Sequence, residues 1–319
     1  MKSSSSKREC KKCNEFRELP LHLHELYMFC EILENSHTVY KYAKKSFTEE
    51  GSSHTLNIAK WLKLASQIES VEMNSYRYEE AHLWCEPVAE KLDSDANHHT
   101  SIITPLTQFI YVANALEETY RFMSPLYKTN YEHIKMERPN LEIKRNYSAQ
   151  ASWLLDEVFS NIDRPTHYNH KIDNFFSLVK KYQSNFNVTF DVDLKNNGSL
   201  SYGLSLVRNI RNHIAHAVFP IIENPEYNLE FLNPQTKRLI LNLLGHASRV
   251  AAMNIQILLG VSNHGFKSVR YSLLLDDPDH GDRLESLFTL DYLNTLHIEQ
   301  EFGLNESAQW KLRSMWDES

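Results

Sequence analysis

Within SLSYGLSLVRNIRNHIAHAVFP, residues 199–220, two arginines, an asparagine and two histidines recur at spacings that could bring them onto one phosphate. Arg211, Asn212 and His216 carry the sharper pattern. On an ideal helix Arg211 and His216 are about 140° apart and on the order of 7.5 Å along the axis, with Asn212 between them. A guanidinium offers forked donors to anionic oxygens, an imidazole exchanges a proton near neutral pH, and an amide can fix either partner. That combination suits chemistry on a phosphodiester. Arg208 and His213 repeat the spacing, but His213 stands about 60° from Ile210, at the edge of an apolar arc of Gly203, Leu206, Val207, Ile210, Ile214 and Ala217. His216 is therefore the expected proton carrier and Arg208 a supporting cation. The same residue types also populate ordinary solvated helix faces, so their setting matters.

The setting is helical. Glycine and proline number 8 and 10 in 319 residues, too few for the turns of a sandwich or barrel, and most segments show apolar residues at helical spacing. Helices are expected over residues 19–35 (at least in the second half), 55–69, 75–92, 148–162 and 170–186. Thr104-Pro105 and Asn233-Pro234 read as a cap followed by proline at the first helical position, and Gly260 as a stop. Pro87 should bend or divide the helix it falls in. Tyr78, His82, Trp84, Cys85 and Val88 are candidates for packing there, as are the apolar positions from Leu239 to Leu258, whose stripe is wide enough to serve a dimer interface as well. NVTFDVDL, residues 187–194, alternates and is expected as a short strand or extended insert.

The formal charge of −7 argues against a polycationic nucleic-acid binder, so any RNA contact must be local. The most basic run lies between Ser124 and Tyr147, read as a loop or a short helix with a loop, where Tyr127, Tyr131 and Tyr147 could stack on unpaired bases. Four cysteines in a chain this long do not make a disulfide scaffold. Cys10 and Cys13 form a CxxC with His22 and His24 nearby, groups of the right type for zinc. The apolar LPLHLHELYMF context and the lack of a second CxxC weigh against a metal centre, and neither metal nor cofactor is expected. No apolar run approaches the length of a membrane span, and no signal-peptide pattern opens the chain, so a cytoplasmic location is expected. The acidic loop Asp276–Asp282 could hold a hard cation but reads more simply as hydrated. No P-loop, GxGxxG, HExxH or GxSxG is present.

RNHIAHA, residues 211–217, resembles the Arg-Asn, three residues, His signature of the HEPN superfamily, all-α nucleases and nucleotide-binding modules. Its place late in an amphipathic helix, with another long helix after it, fits that resemblance. FIYVANALEETYRFM, residues 109–123, is similar to the first long helix of such domains, where an acidic residue and a basic one four positions on recur; here these are Glu117 and Arg121. The resemblance implies an all-α, HEPN-like helical bundle over residues 97–265. A basic tail (1–18), a helical N-terminal lobe (19–96) and a C-terminal helical extension (266–319) would flank it. It further implies metal-independent RNA cleavage by Arg211, Asn212 and His216, with Glu117 orienting them and Arg121 and Arg208 in support. The partners it implies are RNA and a second copy of the chain, with an inhibitory or antitoxin protein possible and no membrane. The context would be a toxin or antiviral-defence effector. A catalytically silent HEPN-type module that binds RNA, nucleotide or a partner protein is the alternative, and a metal-dependent nuclease using the acidic loop is a weaker third.

Overall fold

A computed structural model describes residues 10–35, 55–80, 83–190, 198–226, 234–262 and 290–299. Its elements, in chain order, are α1 (Lys11–Asn14), α2 (Leu19–Asn35), α3 (Thr55–Gln67), α4 (Glu86–Glu137), α5 (Tyr147–Trp153), α6 (Tyr168–Phe186), α7 (Tyr202–Ala215), α8 (Pro234–Ser262) and α9 (Leu290–Thr295). Among the described residues the architecture is all-α, and the β-type contact seen there is an isolated bridge between Phe16 and Ile298. The alternating segment from Asn187 forms no strand as far as Phe190, and its remainder lies outside the described residues.

α8 is the axis. Ile240, Leu243, Leu244, Ala247, Val250, Ala251, Ala252, Met253, Ile255 and Leu258 are all buried, covering more than one face of the helix. A helix apolar on most of its circumference has to be surrounded, and α2, α4, α6, α7 and α9 all pack against it. The wide stripe is thus consumed inside one chain rather than left for a dimer. Gly260 does not stop α8, which continues to Ser262. A side chain there would meet Leu290 at 3.1 Å, so this glycine lets α9 approach.

α4 corrects three expectations at once. Residues 68–80 and 84–85 are non-helical, and Pro87 sits in the first turn of the helix instead of dividing one. Proline tolerates that position because its missing N–H would have no helical partner there. The helix then passes through Pro105 and Pro125 and ends at Glu137, roughly 78 Å long at 1.5 Å per residue. Each internal proline costs about 3 kcal/mol. Burial of Phe109, Val112, Leu116, Tyr120, Met123 and Tyr127 against neighbouring helices offsets it. Tyr78 and Trp84, expected to pack, are instead exposed. The expected boundary between residues 96 and 97 falls inside α4, and among the described residues one buried cluster joins side chains from Leu23 to Leu296.

Candidate functional site

The structure sets α7 in place from both ends. Before it, α5 widens into a π-turn over Leu154–Val158, burying Leu154 and Leu155. From that turn Asp156 accepts hydrogen bonds from Ser199 Oγ (2.5 Å), Ser201 Oγ (2.6 Å) and the Ser201 N–H (3.2 Å). Gly203 then allows close contact. A methyl group there would collide with the Tyr168 hydroxyl and lie 2.9 Å from Ile172 Cδ1, and that same hydroxyl donates to Asn254 Oδ1 on α8 at 2.7 Å. Leu204, Leu206, Val207 and Ile210 are buried along the rest of the inner face.

The helix ends sooner than residues 199–220 suggest. Ala215 is the last helical residue, and His216 caps it at φ −98°, ψ 15°, its N–H still bonded to Asn212 O at 2.9 Å. Ala217 then turns to φ 55°. The Val218 N–H reaches His213 O at 2.8 Å and the Ala217 N–H reaches Ile214 O at 3.2 Å, the paired bonds of a Schellman stop. Glycine usually fills that left-handed position; alanine there costs on the order of 1 kcal/mol. Ala217, expected on the apolar arc, is exposed beyond the helix, and Ile214 is half-buried.

The two histidines of α7's end have different surroundings. His213 is boxed against the edge of Phe190, with ring centroids 4.6 Å apart, and its Nδ1 lies 3.4 Å from the Tyr182 hydroxyl. Burial holds its pKa below the ordinary histidine value, opposed by a backbone hydrogen bond at Thr189. His216 is exposed. Arg211 and Asn212 are half-buried beside it, and among the described residues none of these three side chains makes a hydrogen bond or ion pair. Three polar groups that can bind an anion are therefore presented without a partner at one helix end.

Arg208, one turn back, has its Nη1 3.4 Å from Ser148 Oγ at the start of α5. Glu117 reaches the same neighbourhood from α4. The buried Tyr120 hydroxyl is pushed upward in pKa by burial and by the Glu117 carboxylate, while Arg208 and Arg211 pull it down, so all three charges act on one group at the α4–α7 contact. That hydroxyl has no hydrogen-bond partner. The sequence marks Tyr120 only as a core residue; its phenol at a helix contact, needing a polar neighbour, is the signal that could have placed it here. Arg121 does not join them. Its Nη1 pairs with Glu118 Oε1 at 2.5 Å, three residues back, with the guanidinium half-exposed.

Two other groups of residues sit elsewhere. Tyr127 and Tyr131 are buried, stacked at 5.6 Å and capped by Trp153. Their hydroxyls hold the loop after α4, through Lys144 N–H (2.7 Å) and Leu141 O (2.9 Å), so they cannot stack on bases; Tyr147 remains exposed. A cleft of about 210 Å³ lined by Arg164, Tyr168, Asn169, Asp173, Ser199 and Gly203 lies at the opposite end of α7, roughly 20 Å from His216 by helical rise. The Asp276–Asp282 loop lies outside the described residues.

No protein-family model, curated protein or solved structure matches the chain. Among the described residues, no helix is long and apolar enough to cross a membrane.

Proposed function

We propose that the chain is a metal-independent endoribonuclease of HEPN type, acting in the cytoplasm as a toxin or antiviral-defence effector. The observation that supports the reading is the end of α7, where the half-buried Arg211 and Asn212 and the exposed His216 have no side-chain partner among the described residues, while His213, five residues after Arg208, packs on Phe190 and Tyr182. In the reaction a base removes the proton of the RNA 2′-hydroxyl, the freed oxygen attacks the adjacent phosphorus, and the 5′-oxygen leaves with a proton from an acid. The products are a 2′,3′-cyclic phosphate and a 5′-hydroxyl. His216 performs one of the two proton transfers. Arg211 holds the non-bridging oxygens as charge builds on them, and Asn212 fixes the phosphate or the ring. Glu117 and Arg208 set the local charge that orients Arg211; Arg121 is left with no role beyond its pair with Glu118.

One copy offers one exposed imidazole at this site, so the second proton carrier comes from a second copy in a homodimer. Val218 and Ile221, exposed just beyond the turn, give that contact an apolar edge. An inhibitory partner would act by covering the same helix end. Incubating RNA with the purified chain in excess chelator and mapping the new termini tests the proposal: cyclic-phosphate and 5′-hydroxyl ends are expected. Arg211→Lys, which loses the planar fork, should cut their yield at least about tenfold.

A second reading is favoured by the position of the cleft, which lies away from the motif. On it the chain is a silent helical module that binds RNA, nucleotide or a partner protein. It predicts retention on RNA with no new termini.

A further inference from the structure

A second cluster of chemically capable side chains lies at the other end of α6's neighbourhood, independent of the nuclease reading. Cys10 precedes α1, Cys13 lies within it, and both are free thiols. The fold delivers His170, on the first turn of α6, to the same point: its Nε2 is 3.3 Å from Cys10 Sγ and 3.4 Å from Cys13 Sγ, and the three donor atoms all lie within 4.8 Å of one another. A tetrahedral zinc ion with Zn–S near 2.3 Å and Zn–N near 2.0–2.1 Å separates sulfur from nitrogen by about 3.5 Å. The observed spacing is within a few tenths of an ångström of that.

We propose that Cys10, Cys13 and His170 are the protein ligands of a zinc ion that ties the N-terminal turn α1 to α6, with water in the fourth position. His22 and His24, the histidines nearest the CxxC in sequence, are not part of it. His22 is buried against Gln256 Oε1 at 3.1 Å, and His24 packs on Tyr27. The surroundings of the three ligands favour the ion. Asn174, one helical turn after His170, brings its Nδ2 to 3.1 Å from His170 Nε2. An amide N–H there calls for a lone pair on Nε2, which is the form that ligates. The same Nδ2 is 4.0 Å from Cys13 Sγ, placed to support a thiolate once the ion takes Nε2.

The turn itself is closed by the Cys13 N–H, which donates to Cys10 O at 2.9 Å and keeps the two thiols on one side of α1. Two thiolates and one divalent ion sum to zero charge. That adds no positive charge beside Lys171, the residue that follows His170. Cys10 is exposed, so the fourth position opens to solvent. Other attachments of this strap, the His167–Glu15 contact at 2.6 Å and the Glu299 N–H to Glu15 O bond at 2.7 Å, leave its beginning to the ion.

The test uses the full chain, purified reduced and stripped with chelator, then titrated with Co(II) as a spectroscopic substitute for zinc. Expected are visible bands of tetrahedral cobalt and a sulfur-to-cobalt charge-transfer band that saturate at one ion per chain and are bleached by Zn(II). Cys13→Ser and His170→Ala should each weaken zinc affinity at least tenfold. The exposed Cys10→Ser, which leaves the fold undisturbed by far-ultraviolet dichroism, should do the same, and Asn174→Ala should lower it about tenfold. Cys85→Ser, at an exposed thiol elsewhere, should change nothing. A wild-type chain giving no tetrahedral spectrum, a Cys10–Cys13 disulfide resisting reduction, or a spectrum that survives Cys10→Ser and His170→Ala would overturn the proposal. RNA cleavage in chelator is read separately, so loss of either proposal leaves the other standing.

Discussion

Arg17, His22, Glu25, Arg249, Gln256 and His297 lie buried in one joint where the start of the chain meets its final described segment, whereas at the end of α7 Arg211 and Asn212 are half-buried and His216 is exposed. In the joint most of these side chains have partners, although Arg17 Nη2, His22 Nδ1 and Arg249 Nη1 have none. Arg17 Nη1 is 3.5 Å from Glu25 Oε1, Tyr292 donates to Glu25 Oε2 at 2.6 Å, and Arg17 Nε donates to Ile298 O at 2.7 Å. Gln256 bridges His22 and His297, each at 3.1 Å, and His297 reaches Thr166 O at 2.7 Å. Arg249 donates to Arg17 O. At α7's end, by contrast, the polar groups have no protein partners. Polar side chains buried with partners specify how the chain closes on itself; those left unpaired at a helix end are available to a ligand. The difference separates residues that hold this fold from those proposed to act.

The comparison breaks first on stability. Glu25→Ala removes one partner of a fully buried ion pair and should cost about 3–5 kcal/mol, while Arg211→Ala should shift stability by less than about 0.5 kcal/mol. Urea unfolding of the two variants measures both, and equal losses would erase the distinction. A smaller effect comes from acid. Burial holds His297 near 3 and His22 well below the usual 6.5. The unfolded chain therefore takes up protons near pH 6.5 that the folded chain refuses. Stability is full above that pH and declines as pH falls toward about 3, by up to about 1.4 kcal/mol per unit for each of these histidines. Thermal unfolding between about pH 7.5 and pH 5 reads the slope, and a flat profile would mean that the joint is not dry. The smallest change is a gain: Ala217→Gly should relieve the left-handed turn and raise stability by about 0.5–1 kcal/mol. Its effect on cleavage should be slight, because the cap at His216 is kept.

Much of this plan is legible in the residues. The helical period marks α3, α6 and α8 because each buries a stripe of aliphatic or aromatic side chains, and Pro234 marks the start of α8 correctly. His213 packs at the edge of the apolar arc as its angle implies, whereas His216 is exposed because the helix has already ended there. Prolines mislead in α4, since their local cost is real but is outweighed by tertiary burial that no window of sequence contains. The tyrosines of the basic run mislead for a related reason: Tyr127 and Tyr131 gain more from Trp153 and the loop backbone than from solvent. Convergence of Glu117, Tyr120, Arg208 and Arg211 depends on how α4 crosses α7, and Cys13 meets a histidine 157 residues away. Neither contact has a sequence signature.

The central claim concerns the open end of α7, and His216→Ala tests it most directly. RNA cleavage in excess chelator should fall by about 10²–10⁴-fold for the variant, with its helical dichroism and melting temperature matching those of the wild-type chain. Cleavage at the wild-type rate by a folded His216→Ala protein would contradict the account.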